Sequence, residues 1–334
     1  MTRSIAATGH KSAGIIRVIT VKQGDCRDVL KELDDSSVHC CVTSPPYFGL
    51  RDYGIDGQVG LEATPDAFVA EMVNVFREVR RVLRDDGTLW LNLGDSYVSS
   101  PPGNKEPPRD NDGAYKRRME RQLGHGENRL DIYKTSSSGL KPKNLLGMPW
   151  RVAFALQADG WYLRQDIIWS KPNPMPESVT DRCTKAHEYI FLMSKKASYY
   201  YDPDAIAEKA LCPEGPNNIR PVKGAGEPLM QTHDNLHKIG PRETRNKRSV
   251  WTVSAQPFNE AHFATFPPAL IEPCILAGCP EGGMVLDPFA GAGTTGLVAD
   301  RLNRNGLMIE LNPVYADMMR NRIVSDAPLF AEVV

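Results

Sequence analysis

The sequence predicts an α/β protein built on a mostly parallel, doubly wound sheet, and three observations carry that expectation. Short β-branched runs alternate with stretches whose apolar residues recur at three-and-four spacing. The run Val38-His39-Cys40-Cys41-Val42 is cut off by Ser44-Pro45-Pro46. Far downstream, Met284-Val285-Leu286 runs into a glycine-rich turn, Asp287 to Gly296, that opens a helical stretch. Ligand sites of such sheets lie beyond the carboxyl ends of strands, where both segments would sit.

Taken in order, Ile15-Ile16-Arg17-Val18-Ile19-Thr20-Val21 reads as a strand stopped by Gly24-Asp25, and Asp28 to Leu33 as a short helix. Val38 to Val42 is the second strand. Two prolines cannot continue a central strand, so Ser44 to Tyr47 forms a loop at its end. Phe68, Met72, Val75, Phe76, Val79 and Leu83 mark an amphipathic helix from Pro65, ended by Asp85-Asp86-Gly87, and Thr88 to Leu93 is a buried strand. From Ser99 to Lys143 the chain is polar and rich in Pro, Gly and Ser, an excursion from the core. A helix follows near Trp150 to Ala158, then strands at Tyr162 to Ser170 and Glu188 to Ser194. A second polar excursion spans Asp202 to Ser249. The remainder reads as a helix at Pro267 to Ala277, the strand 284–286, a helix at Thr294 to Leu302, a strand at Gly306 to Ile309 and a helix at Pro313 to Ile323.

Composition narrows the class. Over 334 residues, 24% charged and 41% hydrophobic content exclude a mainly disordered or fibrous chain. The formal net charge of -1 leaves nucleic-acid binding open, because a polyanion responds to a local basic face. Seven cysteines without a C-x-x-C pair read as reduced, mostly buried thiols, and no metal site is expected. With no signal-peptide pattern and no 18-residue apolar stretch, a soluble cytoplasmic protein is expected.

Gly291 and Gly293 let the backbone turn sharply and approach a ligand, and Glu310, at the end of the next strand, is placed to accept from ribose hydroxyls. Alone, the loop reads equally well as tight-turn chemistry. No Lys-Ser/Thr follows it, so a phosphate cradle is disfavoured. Asp287 would repel phosphate and suit a cationic ammonium, which points to a nucleoside that carries an amino acid.

Ser44-Pro45-Pro46-Tyr47 could be a proline-stiffened turn. It could also hold an exocyclic base amine, a poor nucleophile while its lone pair is conjugated into the ring. Ser44 Oγ and the Pro45 carbonyl would accept its two N–H bonds and favour a pyramidal nitrogen. Pro45 and Pro46 would hold those acceptors rigidly, and Tyr47 or Phe48 would offer a face for stacking.

Together the segments resemble the S-adenosylmethionine-dependent DNA amino-methyltransferases that act on adenine N6 or cytosine N4. The family's [Asp/Asn/Ser]-Pro-Pro-[Tyr/Phe/Trp] stands here as Ser44 to Tyr47, and its Phe-x-Gly-x-Gly as Phe289 to Gly293. Catalytic motif before cofactor motif is the β-class order. The resemblance extends to Gly24-Asp25-Cys26, to Ile167 through Asn173, to His187-Glu188-Tyr189 and to His262 through Pro267. It implies a permuted Rossmann-like methyltransferase fold with inserted DNA-recognition segments. Asp287, Phe289, Gly291 and Gly293 would line the methionine end of S-adenosylmethionine, Glu310 its ribose and Asp25 its adenine, and Thr294 would be a further cofactor-binding residue. Phe266 and Pro267 would close the pocket. Asp25 as a turn cap and Phe266 as core packing are the plainer alternatives. Lys171 and Asn173 are candidates for target-strand contact, though Asn173 between prolines could be a turn residue.

The implied reaction is direct methyl transfer to the amine of a flipped base in double-stranded DNA, with Ser44 orienting rather than deprotonating. Carbon-5 cytosine methylation would need a cysteine nucleophile, and neither Cys212-Pro213 nor Cys279-Pro280 lies where one should. Adenine and cytosine stay undecided. Residues 101–143 hold ten Lys/Arg against six Asp/Glu, Lys116, Arg117 and Arg118 among them. The second excursion ends in Arg242, Arg245, Lys247 and Arg248. Both could be solvated loops; around a catalytic face they are candidates for phosphate contact. The chain thus divides into a catalytic half at 14–98 and 146–201, a basic insertion at 99–145, a candidate target-recognition segment at 202–249 and a cofactor-binding half at 250–326. The insertion is a candidate DNA clamp or homodimer contact. Rival readings are an RNA or protein-amide methyltransferase, disfavoured by motif order, and a DNA-binding regulator that has lost transfer.

Overall fold

The computed structural model describes residues 17–98, 140–210, 243–256, 265–326 and 331–333. Among the sequence-predicted site residues, Lys116, Arg117, Arg118 and Arg242 lie outside them.

Strand and helix alternate in the order β1 (Arg17–Gln23), α1 (Cys26–Val29), β2 (Val38–Thr43), α2 (Pro65–Val82), β3 (Leu83–Leu93), α3 (Met148–Ala158), β4 (Tyr162–Ser170) and β5 (His187–Ser194). Then come β6 (Glu208–Lys209), β7 (Thr244–Arg245), β8 (Val250–Thr252), α4 (Pro268–Gly278), β9 (Met284–Asp287), α5 (Thr294–Arg301), β10 (Asn305–Glu310), α6 (Pro313–Asp326) and β11 (Ala331–Val333). One nine-stranded sheet runs β11-β1-β10-β9-β2-β3-β5-β4-β8, and β6 pairs with β7 apart from it. Among the described strands of that sheet, only β5 is antiparallel to its neighbours, β3 and β4. The sheet is therefore mostly parallel, as its sequence predicts.

Strand alternation splits the core between the two faces. Cys41, Leu89 and Leu91 pack with α2 and α3 through Phe68, Met72, Val75, Phe76, Val79, Val152 and Leu156. Cys40, Val42, Trp90, Ile190 and Leu192 pack on the other side with α4, α5 and α6 through Leu270, Ile271, Cys274, Leu297, Met319 and Ile323. The helix α2 begins where its sequence says it should. Thr64 accepts from the Ala67 amide at 3.1 Å, and Pro65, which has no N–H to leave unpaired, follows.

β6, β7, β8 and β11 are not among the expected elements, and two expected elements are built differently. The helix expected over Asp28 to Leu33 starts earlier, because Asp25 caps it, and it tightens into a 3₁₀ turn at Leu30–Glu32. The strand expected from Thr88 begins at Leu83 and carries an irregularity, with Val38 opposite Leu83 and Cys40 opposite Thr88, so Arg84, Asp85 and Asp86 project to solvent.

Candidate functional site

β10, β9 and β2 lie side by side and parallel, so Glu310, Asp287 and Thr43 finish at one edge of the sheet. The hydroxyl of Thr43 donates to Asp287 Oδ1 at 2.6 Å, that of Thr295 donates to Asp287 Oδ2 at 2.6 Å, and the Phe289 amide donates to Oδ1 at 3.1 Å. Burial pushes the Asp287 carboxyl up to about 6, against the pull of the Thr295, Thr43 and Phe289 hydrogen bonds. Asp287 borders a pocket, yet its two oxygens are engaged by the chain itself.

That pocket runs along the edge. Asp25, Ser44, Pro46, Phe266, Asp287, Phe289, Gly291, Thr294 and Glu310, all sequence-predicted site residues, line it together. Gly291 has a φ of 52° with open space where a Cβ would stand, so its backbone is free to approach a ligand. Gly293, expected on the wall, is set back from it. It caps α5 at a φ of 75°, and a Cβ there would overlap Met319, so its role is the close packing of α6. Glu310 Oε2 accepts from the Gly291 amide and Oε1 from the Asn312 amide, each at 2.8 Å, and burial raises its carboxyl above the usual range. Asp25 is the turn cap that its sequence allows, and it stands at the pocket as well. It caps α1 by accepting from the Arg27 amide at 2.9 Å, it pairs with the Arg27 guanidinium, and it borders the pocket. Burial pushes its carboxyl up, but the Arg27 hydrogen bonds outweigh this and hold it below its ordinary value.

The catalytic candidate meets the pocket at one end. Ser44 and Pro46 are on the pocket wall, while Pro45 is buried. Tyr47 is only partly exposed, and its ring lies on Gly94, where a Cβ would stand 2.5 Å from Tyr47 Cε2. Its hydroxyl donates to Glu188 Oε2 at 2.8 Å and lies 3.2 Å from Asn92 Oδ1 and 3.5 Å from Ser44 Oγ. Glu188 Oε1 pairs in turn with the Lys171 ammonium, which sits 4.0 Å from the centre of the Trp169 ring. Phe48, the other residue expected to offer a stacking face, is 3% exposed and packs on Phe68 at 5.6 Å. Its ring belongs to the core.

The chain matches the N6_N4_Mtase family, described as DNA methylase, over residues 38–321. It belongs to that family. The type II methyltransferase M.XycI of Xanthomonas campestris pv. cyanopsidis is 46% identical over 309 residues, which is 92% of this chain and 89% of that one. The type II methyltransferase M.SmaI of Serratia marcescens is 45% identical over 92% of each chain. Among solved structures, a putative DNA modification methylase of Thermus thermophilus, complexed with S-adenosyl-L-methionine, superposes with a TM-score of 0.55 at 25% identity, over 95% of this chain and 99% of that one.

Within this DNA methylase, the remaining predicted contacts are held by the chain. Asn173 exchanges two hydrogen bonds of 3.1 Å with the backbone of Ala255, so its amide fastens the loop after β4 to the segment after β8. Arg245, Lys247 and Arg248 converge on Glu208 at 3.3, 4.0 and 3.1 Å, with Arg248 65% exposed. Sequence reasoning missed Tyr53, Ile55, Gln58, Asn312 and Tyr315 on the pocket wall, and it gave Glu188 and Asn92 no role. The segment carrying Tyr53 to Gln58 has no periodicity to read. Arg27, two residues beyond Asp25 and donating to the Gly57 carbonyl at 2.6 Å, is the tether that places it.

Proposed function

We propose that this DNA methylase is a site-specific type II enzyme that methylates the exocyclic amine of a base flipped out of double-stranded DNA, adenine N6 or cytosine N4, by direct transfer. One observation carries the reading: Ser44 and Pro46 of the catalytic motif line the same pocket as Asp25, Phe289, Gly291 and Glu310.

The pocket fits S-adenosylmethionine in its chemistry. Ile55, Val59, Phe266 and Phe289 offer apolar surface for adenine, and Asp25 and Glu310 are acceptors for its amine and for ribose hydroxyls. When bound, the cofactor supplies an electrophilic methyl group. The chain's part is to hold the target amine at Ser44 Oγ and the Pro45 carbonyl, keep water away and stack the base on Tyr47. Cys26, the cysteine among the described lining residues, is a poor nucleophile for a covalent route, because burial pushes its thiol up to about 12. Arg245, Lys247 and Arg248 in the 202–249 segment, with Lys171, are the described cations proposed to face DNA phosphates. The names of the M.XycI and M.SmaI relatives support the type II assignment.

Transfer of labelled methyl to duplex DNA, followed by nucleoside analysis, tests the reading. Label in N6-methyladenine alone or in N4-methylcytosine alone supports it and names the base. Label in RNA or protein but not in DNA overturns it, and cofactor binding without transfer favours the regulator.

A further inference from the structure

Ser44 is useful to an amine only in one orientation. If its hydroxyl proton points at the substrate, it competes with the amine's own N–H groups; if the proton points away, both lone pairs can accept. A hydroxyl rotor has no intrinsic preference between these states, so something beside it must choose.

The choice can be followed along a chain of contacts that ends in a carboxylate. Glu188 Oε1 is paired with the Lys171 ammonium, and a carboxylate so paired accepts and does not donate. The Tyr47 hydroxyl, 2.8 Å from Glu188 Oε2, must then be the donor in that bond. Asn92 enforces the same sense. Its Nδ2 donates to the Tyr189 carbonyl at 3.0 Å, which turns its Oδ1, a second acceptor, toward the Tyr47 hydroxyl at 3.2 Å. With its proton committed, Tyr47 Oη can only accept from Ser44 Oγ, 3.5 Å away. The Ser44 proton is thereby drawn toward Tyr47, and its lone pairs are left for the substrate.

We infer that Glu188 is a positioning residue, which acts through Tyr47 to set the donor–acceptor sense of Ser44 and so makes Ser44 an acceptor for the target amine. The inference rests on the function proposed above. Lys171 takes part by holding Glu188 while its ammonium lies over the Trp169 ring. Residues 141 apart in sequence are joined because β5 is antiparallel and delivers its first residues to the edge where β2 ends. Gly94, which carries no side chain, leaves room for the Tyr47 ring: a Cβ there would stand 2.5 Å from Tyr47 Cε2.

Glu188→Gln tests the inference with little change in shape. The glutamine amide can turn its N–H toward Tyr47, whose proton then goes to Asn92 Oδ1; the new N–H competes with the Ser44 hydroxyl for Tyr47 Oη and frees the Ser44 proton to turn toward the substrate. Single-turnover transfer with the full-length protein is expected to slow about 10- to 100-fold, while KM for DNA and the S-adenosylmethionine Kd stay within about twofold. Tyr47→Phe breaks the chain, so in that background Glu188→Gln should cost nothing further. An equal loss from Glu188→Gln with Tyr47 and with Phe at position 47, or a change confined to KM, overturns the inference. The unsubstituted protein is assayed alongside. No transfer to DNA by it overturns the proposed function, whereas normal transfer with an undiminished Glu188→Gln variant overturns only the role of Glu188.

Discussion

Thr43 and Asp287, 244 residues apart, are joined by a buried hydrogen bond of 2.6 Å. They end adjacent parallel strands, β2 and β9, one directly before the catalytic motif and the other directly before the glycine turn. Thr295, at the start of α5, closes the same carboxylate from its other side. The joint fixes the distance between the Ser44–Tyr47 segment and the glycine turn through the buried part of the sheet, where both residues are at most 2% exposed.

That joint predicts a pH dependence of stability. The Asp287 carboxyl stands at about 6 in the folded chain against 3.8 for an unperturbed aspartate, so the folded state binds the proton more tightly. Its contribution is fully present below about pH 4 and is lost as pH rises through about 6, up to about 3 kcal/mol in all. Asp287→Asn has no such titration. Urea unfolding from pH 4 to 7 should show the unsubstituted protein losing stability relative to the variant across that window; parallel curves would exclude the shift.

Gly94 predicts a defect of a different kind. A methyl group there meets Tyr47 Cε2 at 2.5 Å, so Gly94→Ala must push the ring off its seat while leaving the pocket wall, to which Gly94 does not contribute, in place. Transfer is expected to fall about 10- to 100-fold, because small misplacements of a reacting partner are costly. Titration calorimetry should find S-adenosylmethionine affinity unchanged; loss of both together would show that the substitution damages the fold instead.

How far the site could be read from sequence follows the range of the interactions. Ser44 to Tyr47 and Phe289 to Gly293 are contiguous segments whose geometry is local, since proline stiffness and glycine freedom act within a few residues. Most strands and helices around them are equally legible, because strands buried on both faces read as continuous apolar runs and α2 carries a three-and-four period. The Glu188–Tyr47 bond has no such signature. It exists because β5 inserts antiparallel between β3 and β4, a pairing that alternating elements do not announce. The three-residue strand β8 and the two-residue β6 and β7 are too short for any period. Gly293 shows the converse: its place in a motif suggested ligand contact, whereas the contact it permits is with Met319.

Glu310 holds two turns and is the proposed ribose acceptor, and substitution should expose both roles together. Each carboxylate oxygen accepts one backbone amide, from Gly291 and Asn312, and so fixes the two turns that flank the proposed ribose site. Glu310→Ala removes acceptors for ligand and loop alike, and hydrogen bonds to a charged acceptor contribute about 1.5–3 kcal/mol each. A rise of at least about tenfold in the S-adenosylmethionine Kd is expected by calorimetry. An unaltered Kd would place the ribose elsewhere.

Arg248 separates DNA contact from chemistry. It shares Glu208 with Arg245 and Lys247, three cations on one carboxylate, so the cluster keeps excess positive charge however the pairs are arranged. Arg248 is the most exposed of the three at 65%, which makes its bond to Glu208 weakly held and its guanidinium available to a phosphate. If it meets one, Arg248→Ala should weaken binding to all duplex sequences alike. It should also lower the slope of log K against log salt by about one, the release of a single counterion. Transfer at saturating DNA should be unaffected, because the residue touches neither Ser44 nor the pocket wall. Fluorescence anisotropy over a salt series measures the slope. An unchanged slope would mean that Arg248 only neutralises Glu208, and a loss confined to one DNA sequence would move it from phosphate contact to base reading.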